Sequence, residues 1–238
     1  MSVAAGFDRT GFEESARLSR GQSDDAVYEA VASALARRGA GGDLLVDVGC
    51  GGGRLWRYLR GRYARCAGVD LIRYEELPAE VEFMRAELNG ERVPLPDACA
   101  DAVVAIETIE HLENPRAFVR ELARLARPGG WVVVTTPNQQ SLLSLLTLVV
   151  KGRFSAFQDA SYPAHLTALL EIDLRRIADE CDLAEAEVVH TCDGRVVLTP
   201  FHYPRAVARL APRLCSDNVI LLGRKRASGT SEAGRETS

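Results

Sequence analysis

A chain that reads Leu-Leu-Val-Asp-Val-Gly-Cys-Gly-Gly-Gly-Arg-Leu over 44–55 has few folds open to it. A short apolar run enters four glycines in five positions and leaves into a helix-forming segment. That is a strand, a tight turn and a helix start. Glycine tolerates the positive φ such a turn demands, and its missing Cβ lets a ligand approach the backbone. The helix N-terminus then points free N–H groups and the positive end of its dipole at the same spot. A glycine loop alone is a weak signal, so its surroundings matter. Asp47 stands two residues before the first glycine, a second apolar run ends in Asp70, and a Glu107-Thr-Ile-Glu110-His111 turn follows later.

The rest of the chain alternates in the same way. Ser23-Asp24-Asp25 caps an amphipathic helix running to about residue 38, with Val27, Val31 and Leu35 on one side. Strands are expected over 44–48, 66–70, 81–86, 101–107, 131–136, 185–191 and 218–223. Further helices are expected after the glycine loop, with Leu55, Trp56 and Leu59 inward, and over 115–127, 142–150 and 171–181. Pro115 starts one of these, and Pro128-Gly129-Gly130 stops it. Residues 1–22 read as an N-terminal arm, and the Ser/Gly/Glu-rich stretch 227–238 as a disordered tail. Continuously apolar strands alternating with helices indicate an α/β protein with a parallel sheet covered on both faces. Ligands of such sheets bind at the carboxyl ends of the strands. There Gly49–Gly53, Asp70, Glu87, Glu107 and Pro137 converge.

At 238 residues with 47% apolar side chains, the chain can bury the core of one such domain. A net charge of −4 and a pI near 5.7 argue against a general nucleic-acid binder, which must neutralise phosphates. The arginines at 54, 57, 60, 62 and 65 fit a solvated helix face better than a phosphate site. The six cysteines are scattered with no CxxC pair, so reduced core thiols in a cytoplasmic protein are expected. No apolar run reaches the roughly 18–20 residues of a membrane span.

Together, Asp47-Val-Gly-Cys-Gly-Gly-Gly53, Val69-Asp70, Pro94-Leu-Pro-Asp97 and Arg127-Pro-Gly-Gly-Trp-Val-Val-Val134 resemble the class I S-adenosylmethionine (SAM) dependent methyltransferases. The likeness covers residues 43–226. It implies a Rossmann-like doubly wound sheet, mostly parallel with seven strands, and a single domain over 1–226 with a lid or acceptor region at 141–170. It also implies that Asp47, Gly49, Gly51 and Gly53 hold the methionine part of SAM. Asp70 and Leu71 would border the ribose, Glu87 and Leu88 the adenine, and Ile106 the sulfonium. Relatives more often carry Asp where this chain has Glu87. The rival is a nicotinamide dehydrogenase, with Asp70, 23 residues after Asp47, as its ribose acid. An acid at Asp47 suits a methionine ammonium and not a pyrophosphate, and neither Lys151 nor Lys225 follows a tyrosine by four residues. From Asp47–Gly53 with Asp70, the protein is expected to bind SAM and its demethylated product, S-adenosylhomocysteine (SAH), with comparable affinity.

The Glu-x-x-Glu-His turn comes next. If the chain turns helically there, Glu107, Glu110 and His111 share a face. With His165 they look like the Glu-x-x-Glu-His…His site of ubiquinone-biosynthesis O-methyltransferases and of enzymes that 2′-O-methylate small-RNA 3′ ends. That resemblance implies a divalent site (Mg, Mn, Fe or Zn) at Glu107, Glu110, His111 and His165, which would favour a deprotonated acceptor hydroxyl. A second reading makes His111 the general base with no metal, and Glu107 stands beside it among the candidate catalytic residues. A third leaves these side chains structural. The apolar stretch 142–150 reads as a lid helix, or as an interfacial helix making peripheral membrane contact with a lipid-linked acceptor. The expected function is methylation of a small-molecule hydroxyl. An RNA 3′-terminal 2′-O-methyltransferase and a non-catalytic SAM-binding protein are the alternatives. The acceptor and the oligomeric state are not written in the sequence.

Overall fold

The computed structural model describes residues 23–197 and 199–227. The arm over 1–22 and all but the first residue of the tail over 227–238 lie outside the described residues.

Seven strands form one sheet in the order β3-β2-β1-β4-β5-β7-β6. They are β1 (Gly42–Val48), β2 (Tyr63–Asp70), β3 (Val81–Arg85), β4 (Ala100–Ala105), β5 (Ala126–Pro137), β6 (Leu183–Asp193) and β7 (Ser216–Lys225). β1 to β5 pair in parallel, and β7 runs antiparallel between β5 and β6. The helices are α1 (Asp25–Arg37), α2 (Arg54–Leu59), α3 (Pro115–Leu125), α4 (Leu142–Lys151), α5 (Glu171–Glu180), α6 (Arg205–Leu210) and α7 (Pro212–Cys215). This is the doubly wound, mostly parallel class I methyltransferase sheet expected from the sequence.

Side chains along each strand alternate between the two faces, which builds two cores. On one face Leu45, Val104 and Val133 meet α1 and α2 through Val31, Leu35, Leu55, Trp56 and Leu59. On the other, Val46, Val103 and Val132 meet α3 and α5 through Phe118, Leu122, Leu174 and Ile177. The caps are local. The Asp24 carboxylate accepts from Ala26 N at 3.0 Å, and Asn114 Oδ1 accepts from Ala117 N at 3.0 Å.

Element ends differ from expectation for identifiable reasons. α3 stops at Leu125, not residue 127, because Ala126 already pairs with Ala100 in the sheet. Arg127, expected in the helix, and the Pro128-Gly129-Gly130 stretch expected to stop it therefore belong to the start of β5. α6 and α7 were not anticipated. They are short, Pro204 and Pro212 introduce them, and they present no buried apolar stripe to read. No helix among the described residues is long and apolar enough to cross a membrane. All six cysteines are free thiols.

The order of strands reverses between β1 and β4. A crevice opens there at the carboxyl ends, and the candidate site occupies it.

Candidate active site

The loop after β1 does two jobs. Gly49 sits at φ +76°, and a Cβ there would lie 2.3 Å from Thr108 Oγ1, so no larger residue fits without moving the turn after β4. Gly51, at φ +49°, donates its N–H to Asp70 Oδ2 at 2.9 Å. The other Asp70 oxygen accepts from Leu71 N at 2.7 Å and Ile72 N at 3.4 Å. Burial pushes the Asp70 carboxyl up, and the Gly51, Ile72 and Leu71 N–H groups pull against it. Gly53 is the N-cap of α2 at φ +70°; there a Cβ would meet Leu77 and Pro78.

Asp47 is 4% exposed. Burial, reinforced by the Asp70 charge, raises its carboxyl to about 7. An anion in this position is short of a cation. On the next two strand ends, Glu87 Oε1 accepts from Asn89 N at 2.6 Å, Leu88 packs against the core, and Ile106 is buried at the end of β4.

The turn after β4 is not the helical one that the spacing suggests. Glu107 adopts φ +46°, a conformation that costs a non-glycine residue on the order of 1 kcal/mol or more. Only Ile109–His111 form a 3₁₀ turn. Contacts from three directions hold Glu107 in place: its N–H donates to Thr135 Oγ1 at 2.9 Å, Asn218 Nδ2 donates to its carboxylate at 2.8 Å, and the Ser23 side chain hydrogen-bonds the carboxylate too. Asn218 arrives from β7, 111 residues away, and no local pattern announces it.

The segment carrying His165 is already docked. Leu166 N and Thr167 N donate to the Glu110 carbonyl at 2.8 and 3.0 Å, and Thr167 Oγ1 donates to Leu112 O at 2.7 Å. His165 lies edge-on to His111 with ring centroids 4.9 Å apart. His111 Nδ1 is 2.7 Å from Ala164 O, and His165 Nδ1 is 2.6 Å from Ala156 O. A carbonyl oxygen only accepts, so both Nδ1 atoms carry hydrogen and each neutral ring keeps its lone pair on Nε2. Burial lowers the pKa of both histidines, His165 also through His111, while the nearby backbone carbonyls pull the other way.

Ligand atoms of Glu110, His111 and His165 lie within 4.8 Å of one another. Glu107 stands outside that trio, on the wall of the same cavity. Glu110 is 1% exposed, and its Oε2 has no hydrogen-bond partner. Burial and then the Glu107 charge drive its carboxyl well above the usual range. An orphaned carboxylate oxygen beside two imidazole lone pairs is a donor set that fits a divalent cation.

One cavity of about 290 Å³ unites these groups. Asp47, Gly49, Asp70, Leu71, Glu87, Leu88, Ile106, Glu107, Glu110, His111 and His165 line it. Gly51 and Gly53 do not; they shape the loop from behind. Sequence reasoning passed over Tyr28, Tyr74, Asn89 and Thr108, which line it too.

Residues 46–134 match the family model described as a methyltransferase domain. The chain carries a methyltransferase domain. A ubiquinone biosynthesis O-methyltransferase of Chromobacterium violaceum is 33% identical over 116 residues, covering 45% of this chain and 50% of that protein. One of the same name from Thiobacillus denitrificans is 34% identical over 116 residues, with the same coverage. The chain thus spans about half the length of the curated relatives it matches. Among solved structures, a SAM-dependent methyltransferase of Archaeoglobus fulgidus superposes with a TM-score of 0.58 at 18% identity, over 92% of this chain and all of that one. One from Thermotoga maritima gives 0.61 at 17% identity, over 91% and 95%. These likenesses establish the fold. The matched domain contains the glycine loop, Asp70 and the Glu107–His111 turn; His165 and Asn218 come from beyond it.

Proposed function

We propose that this methyltransferase domain transfers a methyl group from SAM to the hydroxyl of a small molecule, with a divalent ion assisting. The reading rests on one observation: the Glu110, His111 and His165 ligand atoms gather on the wall of the cavity that also holds Asp47, Gly49 and Asp70. The names of the O-methyltransferase relatives support it. SAM, when bound, supplies an electrophilic methyl on a sulfonium, and a divalent ion would supply positive charge that favours a deprotonated acceptor oxygen.

The chain's own groups do the rest. Asp47 faces the ligand's ammonium and Asp70 its ribose hydroxyls. Glu87 and Leu88 border the base. Glu110 and the Nε2 atoms of His111 and His165 would hold the ion. Glu107, fixed by Asn218, is the acceptor within the cavity that can take the hydroxyl proton. Apolar walls such as Ile106 keep water from competing. On the outer surface, Val149 and Val150 of α4 are 83% and 79% exposed, and no α4 residue lines the cavity. That supports peripheral membrane contact over a roof for this helix.

The test is a turnover screen with labelled SAM against catechols, sugars, lipid-linked glycans and RNA, with and without divalent metal. Metal-dependent methylation of a small hydroxyl compound is expected. Methylation of RNA alone, or SAM binding with no turnover on any acceptor, would replace the reading.

A further inference from the structure

β6 and β7 are antiparallel neighbours, and a turn of about two to five residues would be enough to join them. The chain instead uses residues 194–215, with α6 and α7 among them. No side chain of α6 is buried, and in α7 only Cys215 is. Apolar side chains stand in solvent along this excursion. Phe201 is 71% and Leu210 87% exposed, and Val207 and Leu214 are exposed as well. Arg195, Arg205, Arg209 and Arg213 are interspersed with them, and residues 194–215 hold no aspartate or glutamate. The whole chain carries −4, so this is a basic, apolar outcrop on an acidic protein. Little of its charge is used within the molecule. Arg205 Nε is 3.7 Å from Asp193 Oδ2, with its side chain 86% exposed, and Arg209 is exposed. Arg213 pairs closely with Glu171 and so ties α7 to the start of α5.

We infer that residues 195–214 form a docking surface for an anionic lipid bilayer, with the apolar side chains entering the headgroup layer and the arginines meeting its phosphates. The inference goes beyond the methylation reading and stands apart from the contact proposed for α4.

Charge selects the occupant. A second copy would set four arginines against four, which like-charge repulsion opposes. An acidic protein would satisfy the arginines. Protein interfaces, however, gather an apolar centre inside a charged rim, whereas here the two kinds of side chain interleave along one stretch. Interleaving suits a headgroup layer, where phenyl and leucyl groups sink and long guanidinium stems reach back to phosphate. The position is also useful. Asn138 Nδ2 donates to Arg213 O at 2.8 Å, and Asn138 N donates to Asp217 O at 2.8 Å. Those bonds pin the end of the excursion beside the carboxyl end of β5, where Pro137 lines the cavity and α4 begins at its cap, Ser141. A bilayer held there lies at the cavity's end of the sheet.

Co-sedimentation of the full chain with vesicles tests this. Phosphatidylcholine alone is compared with phosphatidylcholine containing about one third phosphatidylglycerol. Wild type should bind the anionic vesicles about tenfold or more tighter than the zwitterionic ones, and added salt should weaken that binding. Arg205→Gln with Arg209→Gln should lose about tenfold or more on anionic vesicles. Phe201→Ser with Leu210→Ser should lose a similar factor. All four side chains are exposed, so neither pair should shift the melting temperature. Val149→Ser with Val150→Ser reports on α4 separately. Equal binding to both vesicles overturns the inference. Binding to neither overturns it too and leaves an acidic protein as the occupant. Anionic binding that only the α4 pair weakens also overturns it and assigns the contact to α4. Sedimentation velocity without vesicles covers the last occupant: a wild-type dimer that Phe201→Ser with Leu210→Ser dissociates makes this surface an interface between copies instead. The wild-type comparison of the two vesicles decides even where a variant does not fold.

Discussion

Asp47 shows how one residue couples binding to stability. Its carboxyl, raised by burial and by Asp70 to about 7, is protonated in the empty protein over a range where the unfolded chain is ionised. The sign follows from that. Asp47 contributes stability that is fully present below its unfolded value near 3.8 and is lost as pH rises through about 7. The ligand's ammonium needs the ionised form, so SAM affinity should rise between pH 6 and 8 while the ligand-free protein grows less stable. Asp47→Asn should remove both slopes. At pH 8 the empty variant should melt roughly 4 °C or more above wild type, and it should bind SAM more weakly. Melting curves and titrations at three pH values check this. A variant that melts lower at pH 8 contradicts it.

At the scale of elements, the loop after β1 and the turn after β4 are one packed unit. A Cβ at Gly49 would press on Thr108 at 2.3 Å in a left-handed backbone. Gly49→Ala should cost about 2–4 kcal/mol in urea unfolding, and Thr108→Ala should recover part of it in the double variant. Purely additive losses would show that the two segments do not touch. The docked segment yields another prediction. His165→Ala should mimic chelator, suppressing turnover while leaving SAM affinity within about threefold. If chelator is without effect and His111→Ala alone is severe, the base-only reading stands instead.

What the sequence revealed of these elements follows their physics. The strands were legible because their residues are apolar on both faces, and the Asp47, Asp70 and Glu107 positions followed from where those strands end. Less was legible where contacts are long-range or the backbone is unusual. Nothing near Asn218 marks it as the partner of Glu107. The left-handed Glu107 defeats a helical projection of the Glu-x-x-Glu-His turn, yet Glu110 and His111 still meet His165. Backbone bonds from Leu166 and Thr167 to the Glu110 carbonyl hold the segment that carries His165, contacts that no local pattern spells out.

At the scale of the whole molecule, the sheet brings five strand ends to one crevice, and everything claimed for the chain depends on what fills it. Asp70 is the decisive residue. It lies beside the reversal of strand order, accepts three backbone N–H groups, and still lines the cavity. Titration of SAM into wild type and Asp70→Ala is therefore the most direct measurement. Wild type should bind SAM, and the variant should lose about 1.5–3 kcal/mol, roughly 10- to 150-fold, as the ribose hydroxyls lose a charged acceptor. Tight binding of NADH with none of SAM, or SAM binding untouched by Asp70→Ala, would contradict the account.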